Sequence, residues 1–88
     1  MEFLVYILYS DSICRYYAGH ADDVAKRLNE HNSGKGNYTS KGKPWKLITT
    51  FPAAMRAEAM KLELQIKKRG IRRYLEDRGL LPAPEFGT

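Results

Sequence analysis

Seven consecutive residues, Phe3 to Tyr9, are aromatic, aliphatic or β-branched and apolar on both faces. This run constrains the fold more than any other feature of the chain. A strand apolar on both sides needs cover above and below, so it reads as a buried central strand. Ser10-Asp11-Ser12 signals a turn, and strand character resumes from Ile13 to Ala18, which predicts a hairpin. Gly19 then releases the chain toward a helix. Asp22 and Asp23 supply N-terminal carboxylates for that helix, which runs to about His31 before Asn32-Ser33-Gly34 ends it.

Lys35 to Pro44 is a polar loop without periodicity. Trp45 to Phe51 alternates as a third strand, with Trp45, Leu47 and Thr49 on one side. Pro52 closes it and is expected as an early helix residue. Ala53 to Arg69 is the longest helical pattern, stopped by Gly70, and a short helix from Ile71 to about Arg78 precedes Gly79. The order β-β-α-β-α-α predicts a modest α/β (α+β) domain, a three-stranded and mainly antiparallel sheet flanked by helices. The 88 residues suffice for one small domain, expected over residues 1–79. Residues 80–88 lack a packing pattern and read as a disordered tail, its final Glu85-Phe86-Gly87-Thr88 compatible with a cloning remnant.

A net charge of +5 favours a polyanionic partner. Its distribution says more. Lys35, Lys41, Lys43 and Lys46 cluster around a glycine-punctuated loop. Lys67, Lys68, Arg69, Arg72 and Arg73 form a second cluster, which also suits the solvated end of a helix, where cations favour the macrodipole. The lone Cys14 excludes an intrachain disulfide or a cysteine zinc cluster, and a reducing, cytoplasmic setting is the expectation. No apolar run approaches the roughly 20 residues that span a bilayer, so no membrane partner is expected. Met1-Glu2-Phe3-Leu4-Val5 lacks the basic start of a secretory signal. Phosphate-loop, His-Glu-x-x-His and serine-nucleophile patterns are absent.

Two helices carry the polar residues that call for explanation. On the first, Ala21, Val24 and Leu28 define the apolar face, and Arg27 and His31 lie on one flank, about 40° apart. They suit either boundary residues that pack their stems beside a helix end or a pair facing a phosphate. On the second, Glu63 falls in the apolar stripe of Ala59, Met60, Leu62, Leu64 and Ile66. A carboxylate there must be paired, protonated or bound to metal. An ion pair with Arg27 and an Mg²⁺ ion completed by water and substrate phosphate are both open. Tyr6 shares a face with Leu4 and Leu8, and Tyr17 with Arg15 and Gly19. Taken alone, both tyrosines read as core residues with satisfied hydroxyls.

As a set, these residues resemble the GIY-YIG endonuclease superfamily and its small single-domain members. Leu4-Val5-Tyr6 stands where the Gly-Ile-Tyr element belongs, and Tyr17-Ala18-Gly19 where Tyr-Ile-Gly belongs. Gly19 to Asn32 follows the pattern of a turn, then a helix with arginine and, four residues on, histidine. His31-Asn32-Ser33-Gly34, Tyr38-Thr39-Ser40 and Pro44-Trp45-Lys46-Leu47 look like the small-protein subgroup. Glu58-Ala59 through Glu63 and Ile66-Lys67-Lys68 match the last motif. The resemblance spans residues 3–76.

It implies a metal-dependent DNA endonuclease or nickase, acting on repair or recombination intermediates. Tyr6 would be the general base or position the attacking water, with His31 taking the proton onward. Tyr17 would contact the scissile phosphate or the water. Arg27 would neutralise charge developing on the phosphate, and Glu63 would hold one Mg²⁺ or Mn²⁺ ion. A tyrosine with its ordinary pKa near 10 is a poor base, so nearby positive charge would have to lower it. Lys35, Tyr38, Lys41, Lys43, Lys46 and Lys67 would grip the DNA backbone, structure-selectively. Leu4 in place of glycine, and Ala21 in place of a hydroxyl residue, depart from the pattern. With no room for a separate DNA-binding domain, substrate choice would rest on DNA structure or a protein partner. The competing reading is a non-catalytic nucleic-acid-binding module that keeps the fold.

Overall fold

The structure, a computed structural model, describes residues 2–33 and 39–80. The apolar run becomes β1 (Phe3–Ser10), and a turn at residues 11–14 leads into β2 (Arg15–Ala21). Helix α1 (Val24–Asn32) follows, then a 3-10 turn at Thr39–Gly42, β3 (Trp45–Ala53), α2 (Arg56–Arg69) and α3 (Ile71–Asp77). β1 is the central strand of a sheet ordered β2-β1-β3, antiparallel to both neighbours. The expected α+β architecture is therefore the observed one.

Alternation along β1 divides the interior in two. Val5 and Ile7 join Ala18, Ala59, Ile66 and Leu75 beneath α2 and α3. Tyr6 and Leu8 join Ala21, Val24 and Trp45 beneath α1. Ile7, Leu8, Ile66 and Leu75 have no exposed surface at all, and burying each such side chain contributes roughly 1.5–3 kcal/mol.

Local chemistry sets the ends of the helices. The Asp23 side chain accepts the Lys26 amide at 3.0 Å and caps α1. Glu58, in the first turn of α2, reaches back to the Ala54 amide at 3.1 Å. Gly70, with a φ of 98°, stops α2 in a conformation that costs glycine little. At the far end of α1, the Asn32 amide acts as a short piece of strand for β3. It donates to the Trp45 carbonyl at 3.2 Å and accepts from the Trp45 amide at 2.5 Å.

The strand boundaries and the register of β3 differ from the sequence reading at several points. Ile13 and Cys14 fall in the hairpin turn, where Cys14 adopts a φ of 53°. β2 instead runs on through Gly19, His20 and Ala21, which pair with Tyr6, Val5 and Leu4. Pro52 stays within β3 opposite Leu4, a place open to proline because β3 is an edge strand. The register slips between Ile7↔Thr49 and Leu8↔Leu47. The extra residue, Ile48, turns Thr49 to the face opposite Leu47.

Candidate active site

Tyr6 is almost fully buried, yet its hydroxyl reaches the His31 Nε2 at 3.0 Å. That contact exists because the ring passes over Gly19, its partner on β2, where a Cβ would stand 2.6 Å from the phenolic oxygen. The ring of Tyr17 lies 5.1 Å from that of His31, 6.4 Å from Tyr6 and 6.0 Å from Trp45. Arg27, one turn before His31, points its half-exposed guanidinium toward Glu30 at 3.5 Å and close enough to Tyr6 to favour its ionised form. Two tyrosines, an arginine and a histidine thus share the α1 face of the sheet.

Their electrostatics run against one expectation. The Tyr6 phenol is pushed up to about 12, by burial first and the neighbouring Tyr17 second, against the opposing pull of Arg27. Positive charge is present but loses to desolvation. His31 moves down from its ordinary value, through burial and then repulsion from Arg27, so it is neutral at pH 7. The hydrogen bond therefore joins a protonated phenol to a neutral imidazole.

Glu63 stands on the other side of the sheet. The apolar stripe counted along α2 is wider than the face actually buried: Ala59 and Ile66 are fully covered, while Met60 and Leu64 are 54% and 65% exposed. Glu63 occupies the margin, with 18% of its side chain exposed, and is not paired with Arg27. Its Oε1 accepts from His20 Nδ1 and its Oε2 from Lys67 Nζ, each at 2.7 Å. Burial alone would raise its pKa, but the His20 and Lys67 hydrogen bonds outweigh burial and hold the carboxyl below its ordinary value. His20, Met60, Lys61, Leu64 and Lys67 line a shallow groove around it.

The two halves meet at the dipeptide Gly19-His20 on the edge strand β2. Gly19 faces α1 and makes room for Tyr6, and His20 faces α2 and binds Glu63. The Glu63 charge is felt at Tyr6, where it adds to the upward shift. His20 escapes a reading by sequence spacing because its partner is 43 positions away. The available signal was strand alternation, which puts residue 20 on the face opposite Tyr17 and Gly19 once β2 is known to continue through Ala21.

The basic residues do not gather on one face. Lys41 and Lys43 are exposed and flank Gly42, whose backbone rests on the Trp45 indole of the α1 face. Lys46, opposite Tyr9 on β3, turns the other way and pairs with Asp11 at 2.5 Å. Lys67 is committed to Glu63. Lys35 and Tyr38 lie outside the described residues.

No cluster of three or more His, Cys, Asp or Glu side chains able to hold a metal is formed among the described residues. The Glu63 carboxylate is ionised and partly exposed, and each of its oxygens keeps a further lone pair. Such a donor suits an ion like Mg²⁺, which retains several waters and borrows phosphate oxygens from a substrate.

A three-stranded sheet that sets two tyrosines against an Arg-His helix, with a glutamate helix behind, defines a class. The family model for the GIY-YIG catalytic domain matches residues 2–74, and the chain belongs to that family of nucleases. Within it the similarity is to UPF0213 proteins. One from Bacillus licheniformis is 37% identical over 79 residues, covering 80% of this chain and 81% of that one. YazA of Bacillus subtilis is 41% identical over 54 residues, 60% of this chain and 54% of YazA. A relative from Halalkalibacterium halodurans is 36% identical over 53 residues, 59% of this chain and 56% of the relative. The match thus spans little more than half the length of these last two proteins. The solution NMR structure of that last relative, the UPF0213 protein BH0048 from Bacillus halodurans, superposes with a TM-score of 0.56 at 32% identity, covering 97% of this chain and 90% of that one. Among the described residues, no helix is long and apolar enough to cross a membrane.

Proposed function

We propose that residues 1–79 form one nuclease domain, a divalent-metal-dependent DNA endonuclease or nickase acting in the cytoplasm on intermediates of repair or recombination. The hydrogen bond from the Tyr6 hydroxyl to His31 Nε2, at 3.0 Å with the Arg27 cation alongside, carries this reading. A phenol with its pKa at about 12 does not act as a free phenolate. It works as a relay. As the attacking water gives its proton to the phenolic oxygen, the phenol proton passes to the neutral His31. Arg27 offsets the charge that builds on the phosphoryl oxygens, and Tyr17 borders the same space and orients phosphate or water.

Glu63 would hold one Mg²⁺ or Mn²⁺, which supplies polarisation of the phosphate and stabilisation of the leaving 3′-oxygen when bound. Lys41 and Lys43, with Lys35 and Tyr38, would contact the DNA backbone without selecting sequence. Specificity would come from DNA structure or a protein partner.

The Lys67–Glu63 ion pair favours a second reading, a binding module whose carboxylate is purely structural. Cleavage assays on duplex, nicked, flap and branched DNA with Mg²⁺ or Mn²⁺ separate the two. Cutting that disappears in Glu63→Ala and Arg27→Ala supports the nuclease. Binding without cutting on every substrate supports the module, and cutting that survives Glu63→Ala assigns the activity elsewhere.

A further inference from the structure

We infer that His20 is a positioning residue for the Glu63 carboxylate, fixing Oε1 so that the remaining lone pairs are presented to a divalent ion. This rests on the reading of Glu63 as that ion's protein ligand.

The two partners of Glu63 are not equivalent. Lys67 sits one turn away on the same helix, its side chain 47% exposed. An arriving cation would repel it, and its flexible stem lets it swing into solvent at little cost. His20 projects from β2, where its backbone is paired with the fully buried Val5 of the central strand. Its ring therefore ties α2 to the sheet. Nδ1–H can donate to the carboxylate whether the imidazole is neutral or charged. A glutamate has three side-chain torsions, and only an anchored donor selects one orientation of its terminal oxygens. Hydrogen-bond partners of metal ligands typically account for about 10–100-fold in metal affinity.

The same contact could serve only to join β2 to α2, and the test must tell these roles apart. In ¹⁵N-labelled protein at neutral pH, Mn²⁺ is added in small steps and the paramagnetic broadening of amide signals around Glu63 is followed. Wild type should show broadening centred on Glu63 that Glu63→Ala abolishes. His20→Ala should need about tenfold more Mn²⁺ or beyond for equal broadening. His20→Asn, whose side-chain N–H stands close to the place of Nδ1, should restore most of the affinity.

Broadening in His20→Ala equal to that of wild type overturns the inference. So does an Asn variant as weak as the Ala variant with its amide spectrum intact, because the donor would then not be what matters. If wild type shows no broadening at Glu63, the metal-ligand reading itself falls and this inference with it. That failure is recognisable because Glu63→Ala would then change nothing.

Discussion

The phenol of Tyr6 lies across Gly19, which leaves no room for even a methyl group: a Cβ at residue 19 would stand 2.6 Å from the hydroxyl and 2.7 Å from the ring carbon that bears it. The glycine is needed for space, since its backbone is ordinary strand. Gly19→Ala should displace Tyr6 from His31 and destabilise the fold by about 1–3 kcal/mol, as overpacking of a filled core does. Thermal melting and DNA cleavage should both register it, and an unchanged melting temperature would contradict the close packing of Tyr6 on Gly19.

Tyr6→Phe separates the ring from its hydroxyl. The ring still fills the α1-side core, so the melting temperature should shift little, while cleavage should fall by about 10²–10⁴-fold if the proposed relay is lost. Near-normal cleavage in this variant would remove Tyr6 from the chemistry.

The pH dependence has a definite sign. Protonated His31 cannot accept from Tyr6, so activity should rise with pH through the folded-state pKa of His31. Because that pKa is depressed by burial and by Arg27, the acid limb of kcat/KM should lie below the ordinary histidine value near 6.5. A limb above that value would contradict the burial of the imidazole. The same shift affects stability: it is fully present above the unfolded pKa and is lost as pH falls through the folded one. For Tyr6 the direction reverses. Its raised pKa gives stability that is present below pH 10 and lost as pH climbs toward about 12, and Tyr6→Phe should flatten that alkaline decline.

Asn32→Ala should cost about 1–3 kcal/mol, since it strips both partners that the Asn32 side chain offers to Trp45. Asn32→Asp keeps the acceptor and loses the donor, so it should fall between. Trp45 fluorescence during urea unfolding reads both variants, and equal midpoints for all three proteins would show that the contact carries no stability.

Much of this was legible in the chain. Phe3 to Tyr9 is apolar on both faces because β1 is covered on both faces, so the central strand and the element order could be read directly. Arg27 and His31 were found together because helical spacing is local. What escaped depends on contacts distant in sequence. Ile48 inserts a bulge that reverses Thr49, and nothing near it in the sequence signals the slip. Gly19 looks like a strand terminator until the Tyr6 ring is laid over it. The place of Glu63 in an apolar stripe signals a carboxylate in need of a partner, but its choice of His20 over Arg27 follows from which face of the sheet each occupies. Nearby charge alone points the Tyr6 pKa downward, whereas burial, which the sequence does not show, sets its direction.

The division of the interior by β1 has a consequence for how this molecule tolerates change. Ile66 and Leu75 belong to one apolar compartment, and Tyr6, Leu8 and Trp45 to the other. Most of the chain's helical mass leans on the first, and the phenol–imidazole pair rests on the second. Substitutions in the two compartments should therefore combine additively. The apolar residues around Tyr6 can then be exchanged without loosening the Ile66–Leu75 compartment, which holds α2 and α3 to the sheet on its own.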